Sequence, residues 1–234
     1  MDEELILQHG IRIKKNLDQH FLADGDILEK EIELAELKKG DVVLDIGAGI
    51  GNLTRKIAEK CKVIAIEKDA QFIPLLQGLE NATIIHADAL SVLNDLQFNK
   101  IISNIPYSIS QLLLLELLKH KWSVAVLIVQ KEFAMKMLSK SKLAVLVNDC
   151  CDFEIEAFVP GTSFYPTAVD SALIKIRQKK LMDEKFWKFL SRVYMQKNRN
   201  VKNVVKNFPA ELVGKKIHQL SLEDLKALYE MNKA

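Results

Sequence analysis

The sequence predicts an α/β fold: a mostly parallel sheet covered by helices on both faces, followed by a small helical domain. Three observations carry this. From residue 40 onward, five short apolar runs alternate with helix-compatible stretches. A glycine-rich turn follows the first run and opens a helix. After residue 179 no strand-like run occurs. The division expected is therefore 1–179 and 180–234.

The elements follow in order. Val42–Ile46 is the first strand, entered from Lys39-Gly40 and left through glycines. Val63–Glu67, Thr83–His86, Lys100–Ser103 and Val124–Gln130 are the next four. Runs apolar on both faces argue for a parallel sheet buried on both sides, joined by right-handed crossovers. The intervening helices are expected at Leu53–Lys60, Ala70–Leu79, Ser91–Leu96 and Ser110–Lys119, with a longer one at Lys131–Asn148. Phe153–Val159 and Ser171–Arg177 read as an antiparallel pair closing the sheet. Phe186, Trp187, Leu190, Val193 and Tyr194 recur at helical spacing, as do Leu222, Leu225 and Leu228. Ser221 with Asp224 marks a helix start.

Composition narrows the class. Of 234 residues, 49% are apolar and 27% charged, the balance of a chain with a packed core rather than a disordered one. No apolar run is long enough to span a bilayer. Met1-Asp2-Glu3-Glu4 lacks the basic-then-apolar pattern of a signal peptide. Cys61, Cys150 and Cys151 have neither a pairing framework nor metal-ligand spacing, which suits a reducing cytoplasm and no metal site. The net charge of +2 hides an asymmetry. Residues 180–234 carry 12 basic and 6 acidic side chains, a local +6, whereas 1–179 carry 21 and 25. From Lys185 to Lys206 there are seven basic residues and no acidic one. Such a stretch is either a solvated helix face or a surface for a polyanion.

The turn Asp45-Ile46-Gly47-Ala48-Gly49-Ile50-Gly51 lets the backbone approach a ligand at a strand end. Glu67 lies 22 residues beyond Asp45, at the end of the second strand, where an acid can accept from ribose hydroxyls. Asp88 follows the third strand and can accept from an adenine amino group. The glycine spacing GxGxG, with acids after three strands, favours S-adenosylmethionine over a dinucleotide, whose pyrophosphate usually asks for GxGxxG.

Ser103-Asn104-Ile105-Pro106-Tyr107 follows the fourth strand. Pro106 keeps Ile105 out of helical geometry. The Asn104 side chain and the Ile105 carbonyl then offer two acceptors, and Tyr107 an aromatic face. This suits a planar base with an exocyclic amine. Two acceptors on its hydrogens free a lone pair otherwise delocalised into the ring.

Together these residues resemble the ribosomal RNA adenine N6,N6-dimethyltransferases, over nearly the whole chain. Lys14-Lys15-Asn16-Leu17-Asp18-Gln19-His20-Phe21-Leu22 resembles the family's entry motif. Asp18 stands where the family carries Gly, a departure that bears on the backbone rather than on the pocket contacts. Phe158-Val159-Pro160, Phe164-Tyr165-Pro166 and Val169-Asp170-Ser171 resemble the late motif. The resemblance implies a Rossmann-like class I methyltransferase. Its cofactor, S-adenosylmethionine, would touch His20, Leu22, Gly47, Gly49, Glu67, Asp88 and Asn104. The catalytic set would be Asn104, Ile105, Pro106 and Tyr107, with Phe164 stacking on the far face of a flipped adenine. Its substrate would be two adjacent adenines near the 3′ end of small-subunit rRNA, inside a pre-ribosomal particle, with the chain acting as a monomer. The basic stretch from Tyr194 to Lys206 resembles the family's basic helical segment. Lys197, Arg199, Lys202 and Lys206 would meet the RNA backbone there, extended by Arg12, Lys14 and Lys15. Three alternatives stand beside this: the related large-subunit adenine dimethyltransferase, a non-catalytic assembly factor, and a nicotinamide oxidoreductase. His9, His86, His120 and His218 show no partner pattern and read as surface or packing residues.

Overall fold

The computed structural model describes residues 6, 8–14 and 17–233. Met1-Asp2-Glu3-Glu4, and Lys15 and Asn16 of the entry motif, lie outside the described residues. The chain runs β1 (Phe21–Leu22), α1 (Gly25–Leu34), β2 (Val42–Ile46), α2 (Asn52–Ala58), β3 (Lys62–Glu67), α3 (Ile73–Leu76), β4 (Ala82–His86), α4 (Ala89–Val92) and β5 (Lys100–Asn104). It continues through α5 (Ser110–Leu117), β6 (Val124–Gln130), α6 (Lys131–Met137), α7 (Lys142–Cys150), β7 (Cys151–Val159), β8 (Phe164–Tyr165) and β9 (Ser171–Gln178). Two further helices follow, α8 (Glu184–Tyr194) and α9 (Leu222–Met231).

The main sheet has seven strands in the order β4-β3-β2-β5-β6-β9-β7. The pairs from β4 through β6 are parallel; β9 runs antiparallel to both β6 and β7. From β2 the chain moves outward through β3 and β4, then returns to the other side of β2 as β5. That reversal opens a crevice at the carboxyl ends of β2 and β5, where open α/β sheets bind ligands. Alternation sorts the strand residues by face. Leu44 and Ile46 join one hydrophobic cluster, while Val43 and Ile102 join the other, beneath Leu28 and Ile32 of α1. The C-terminal helices share the first cluster: Phe186, Leu190, Val193, Leu225 and Leu228 pack with Leu146, Cys150 and Ile174.

The caps are those the sequence offers. Asp183 accepts from the Lys185 and Phe186 amides, and Ser221 and Asp224 form a capping box. Cys150 and Cys151 are buried, unpaired thiols that burial pushes up to about 11 and about 12.

Several expectations need correction. Helix α1 has no counterpart in the strand-and-helix alternation; Asp24 starts it by accepting from the amides of Asp26 and Ile27. The long helix expected over Lys131–Asn148 is two helices. Ser139 and Ser141 hydroxyls both donate to the Lys136 carbonyl, and Ser141 then caps α7 by accepting from the Ala144 amide. The stretch Ala70–Leu79 is a 3₁₀ turn followed by α3, with Gly78 at φ 81° just beyond it. Ser91–Leu96 likewise divides between α4 and a 3₁₀ turn. The basic helical stretch ends at Tyr194; from Met195 to Lys206 the chain is irregular, with an isolated bridge from Asn200 to Lys216 and one 3₁₀ turn at Val201–Asn203.

Candidate active site

Parallel register brings the ends of β2, β3 and β5 into line, and the loops leaving them enclose a cavity of about 200 Å³. His20, Leu22, Gly47, Gly49, Glu67, Asp88, Asn104 and Pro106 all line it. Glu67 ends β3 and is held from two sides: Oε2 accepts from the Gly49 amide at 2.8 Å and Oε1 from the Asp69 amide at 2.7 Å. Burial raises its pKa against those backbone donors. Each oxygen keeps a lone pair for a further donor. Gly49 has φ 53°, and a Cβ there would meet the Phe21 ring at 2.9 Å. Asp88 caps α4 through the Leu90 amide and pairs with Lys68 at 2.8 Å, which holds its carboxyl below the ordinary range.

Asp45, at the penultimate position of β2, is 1% exposed. Its Oδ2 accepts from Thr54 Oγ1 at 2.6 Å. Burial lifts its pKa to about 7, and the charge of Glu67 adds to the rise. Asn104 ends β5, and its Oδ1 is buried without a hydrogen-bond partner. An amide oxygen buried without a partner is a group that a bound donor would satisfy. Ile105 is buried, and its amide donates to the Ile128 carbonyl, fixing the turn that Pro106 completes.

The entry segment closes over this corner. Asp18 adopts φ 51°, the left-handed conformation a glycine would take freely. Its Oδ2 accepts from the Ser108 amide at 2.8 Å, which ties the segment to the loop after β5. The Gln19 side chain donates to Asp69, and His20 Nδ1 donates to the Pro166 carbonyl at 2.8 Å. The His20 and Tyr107 rings stack with centroids 6.5 Å apart, and the Tyr107 hydroxyl shares a 2.7 Å hydrogen bond with Ser171 Oγ. Burial raises the tyrosine's pKa.

Not every expected residue arrives at the cavity. Phe164 is 5% exposed and packs with Leu22, Leu28 and Leu173, so in this arrangement its ring offers no stacking face. Antiparallel pairing of β8 with β1 sets Phe164 beside Leu22 and turns it into the core. Lys14 pairs with Asp69 at 3.0 Å, which commits its charge to the loop after β3. Lys197, Arg199, Lys202 and Lys206 are exposed, and none of them makes an ion pair among the described residues. Sequence reasoning missed Glu31 of α1, which is fully buried beside this site. Its spacing from Leu28 and Ile32 placed it on the buried face, but an acid there carries no apolar signal. Among the described residues no cluster suited to a metal ion occurs, and no helix is long and apolar enough to cross a membrane.

Residues 10–233 match the family model described as ribosomal RNA adenine dimethylase. The chain is 37% identical over 241 residues to a probable ribosomal RNA small subunit methyltransferase A of Methanosarcina barkeri, covering 89% of this chain and 84% of that protein. Among solved structures it is similar to a dimethyladenosine transferase from Plasmodium falciparum, with TM-score 0.78 and 29% identity over 89% of this chain and 95% of that one. The 23S rRNA methyltransferase ErmE shares the fold, with TM-score 0.71 and 22% identity over 91% of this chain and all of the other.

Proposed function

The chain belongs to the ribosomal RNA adenine dimethylase family, and we propose that it transfers methyl groups from S-adenosylmethionine to N6 of two adjacent adenines near the 3′ end of small-subunit rRNA. The observation that carries this is the convergence of Asn104, whose Oδ1 is buried and unpartnered, with Glu67, Asp88 and the Gly47–Gly49 turn around one cavity.

The residues fit the cofactor. Glu67 retains acceptor capacity for a ribose and Asp88 for an adenine amine, and the glycine turn holds Glu67 in place through the Gly49 amide. When bound, S-adenosylmethionine supplies an electrophilic methyl group on a sulfonium. The protein's part is binding and orientation. Asn104 Oδ1 and the Ile105 carbonyl accept the two N–H bonds of the target amine. That grip draws the nitrogen toward tetrahedral geometry and localises its lone pair. The ring of Tyr107, braced by His20 and Ser171, lies along the base. The amine becomes acidic as its new N–C bond forms, so no strong general base is needed.

Residues 1–179 hold the chemistry, and 180–234 dock the RNA through Lys197, Arg199, Lys202 and Lys206. The substrate is the rRNA within a pre-ribosomal small subunit, the enzyme acts as a monomer, and the three free cysteines suit the cytoplasm. A tritiated-methyl transfer assay on unmethylated small subunits tests the central step. The parent protein incorporates label. Asn104→Ala falls by about 100-fold or more, the scale expected when a preorganised polar group is removed from a reacting centre. Equal incorporation by both proteins would remove Asn104 from the reaction.

A further inference from the structure

The chain leaving the Asn104–Tyr107 corner starts its next helix without a local cap. Tyr107–Ile109 is a 3₁₀ turn leading into α5, and Pro106, the residue before it, has no polar side chain to cap with. Ile109, which precedes α5, supplies no side-chain cap either. The first amides of a helix have no partner within it, and an oxygen from elsewhere takes them. The Ile109 amide turns back to the Pro106 carbonyl at 3.2 Å. The Ser108 amide donates instead to Asp18 Oδ2 at 2.8 Å, from a residue 90 positions away in sequence.

The entry segment is shaped to deliver that oxygen. Asp18 has φ 51°, a left-handed conformation that Asn and Asp visit more readily than other residues with a Cβ. Its carbonyl accepts from the His20 amide at 2.9 Å, and the His20 ring lies on Tyr107 with the two planes 16° apart. Gln19, between them, anchors the turn to the loop after β3 by donating to Asp69 at 2.8 Å. One short turn therefore holds Ser108 by its amide and Tyr107 by its ring, while Ser171 holds the Tyr107 hydroxyl. Asp18, His20 and Ser108 all line the cavity.

We propose that Asp18 is a positioning residue for methyl transfer: its carboxyl caps the turn after Pro106 from the entry segment and so sets the Tyr107 ring along the target base. This rests on the role given to the Asn104–Tyr107 corner above and deepens it. Glycine, which the family carries at this position, takes the same φ without strain but offers no acceptor. The cap is thus this chain's own device. Asp18 acts through Ser108 and Tyr107, and it takes no part in the bond that forms.

Two substitutions isolate the carboxyl from the backbone turn. Asp18→Gly keeps the left-handed conformation and removes the acceptor, and Asp18→Asn keeps both. In the ligand-free protein, Asp18→Gly should speed hydrogen exchange of the Ser108 amide by about tenfold or more, read by NMR. Its kcat should fall about fivefold or more with S-adenosylmethionine Kd within about twofold of the parent. Asp18→Asn should recover most of both readouts. Parental kcat in Asp18→Gly would overturn the proposal. So would a lost kcat with Ser108 exchange unchanged, equal losses in both variants, or an effect confined to cofactor Kd. Activity retained by Asn104→Ala would instead defeat the reading of the corner itself, while the Ser108 exchange would still report the cap, so the two failures are distinguishable.

Discussion

Asp45 shows how a ligand site is made at the cost of stability. Its carboxyl is 1% exposed, accepts a side-chain hydrogen bond from Thr54, and has a pKa raised from 3.8 to about 7. Between those values the folded protein holds a proton that the unfolded chain has released. Stability must therefore fall as pH rises from about 4 to about 7, with a slope of up to about 1.4 kcal/mol per pH unit for a full proton. Glu67 and Glu31 are raised in the same direction and steepen the effect. Asp45→Asn should flatten the profile, which urea denaturation of the ligand-free protein at a series of pH values would read. An unchanged slope would mean that Asp45 stays ionised in the fold. The same residue scale explains what the sequence could reveal of the site. Glu67, Asp88 and Asn104 stood out because each is polar at the end of an apolar run. Glu31 did not, because one acid within a helix rich in Glu and Lys reads as surface.

At the scale of elements, the glycine turn and the entry segment are one device. Gly49 donates its amide to Glu67, and its missing Cβ admits the Phe21 ring of β1. Gly49→Ala puts a methyl 2.9 Å from that ring at a φ of 53°. The conformation alone costs about 1–2 kcal/mol. We expect a melting temperature lower by several degrees and cofactor binding weakened about tenfold or more. Parental affinity by calorimetry would show that Phe21 yields freely. Asp18 plays a comparable part, taking a left-handed turn and pinning it to Ser108. The strands β2 to β6 were legible because parallel, doubly buried strands leave uninterrupted apolar runs. The two-residue pairing of β1 with β8 was not, since neither Phe21–Leu22 nor Phe164–Tyr165 is long enough to show a period. The break between α6 and α7 was written in Ser139 and Ser141, whose side chains take the helix-ending carbonyl and start the next helix. Ser141→Ala should cost about 1 kcal/mol, seen as a lower denaturation midpoint with methyl transfer retained. An unchanged midpoint would assign the break to something other than the cap.

Across the whole molecule, a net charge of +2 separates into an acidic stretch, 1–179, and a basic one, 180–234, joined by one continuous core. Lys197, Arg199 and Lys202 are exposed on the turn after α8, free of ion pairs among the described residues. If each neutralises one phosphate, changing all three to alanine should reduce the salt slope of RNA binding by about 2–3. Cofactor affinity should not move. An unchanged slope would discard this docking surface. The central claim is that the corner formed by Asn104 and Ile105 delivers methyl groups to adenine N6 in small-subunit rRNA. Mass spectrometry of rRNA digested after incubation with the protein and S-adenosylmethionine tests it most directly. Two neighbouring N6,N6-dimethyladenosines near the 3′ end, absent with Asn104→Ala, are the predicted result. Unmodified adenines there, or methyl groups only at other positions, would contradict it.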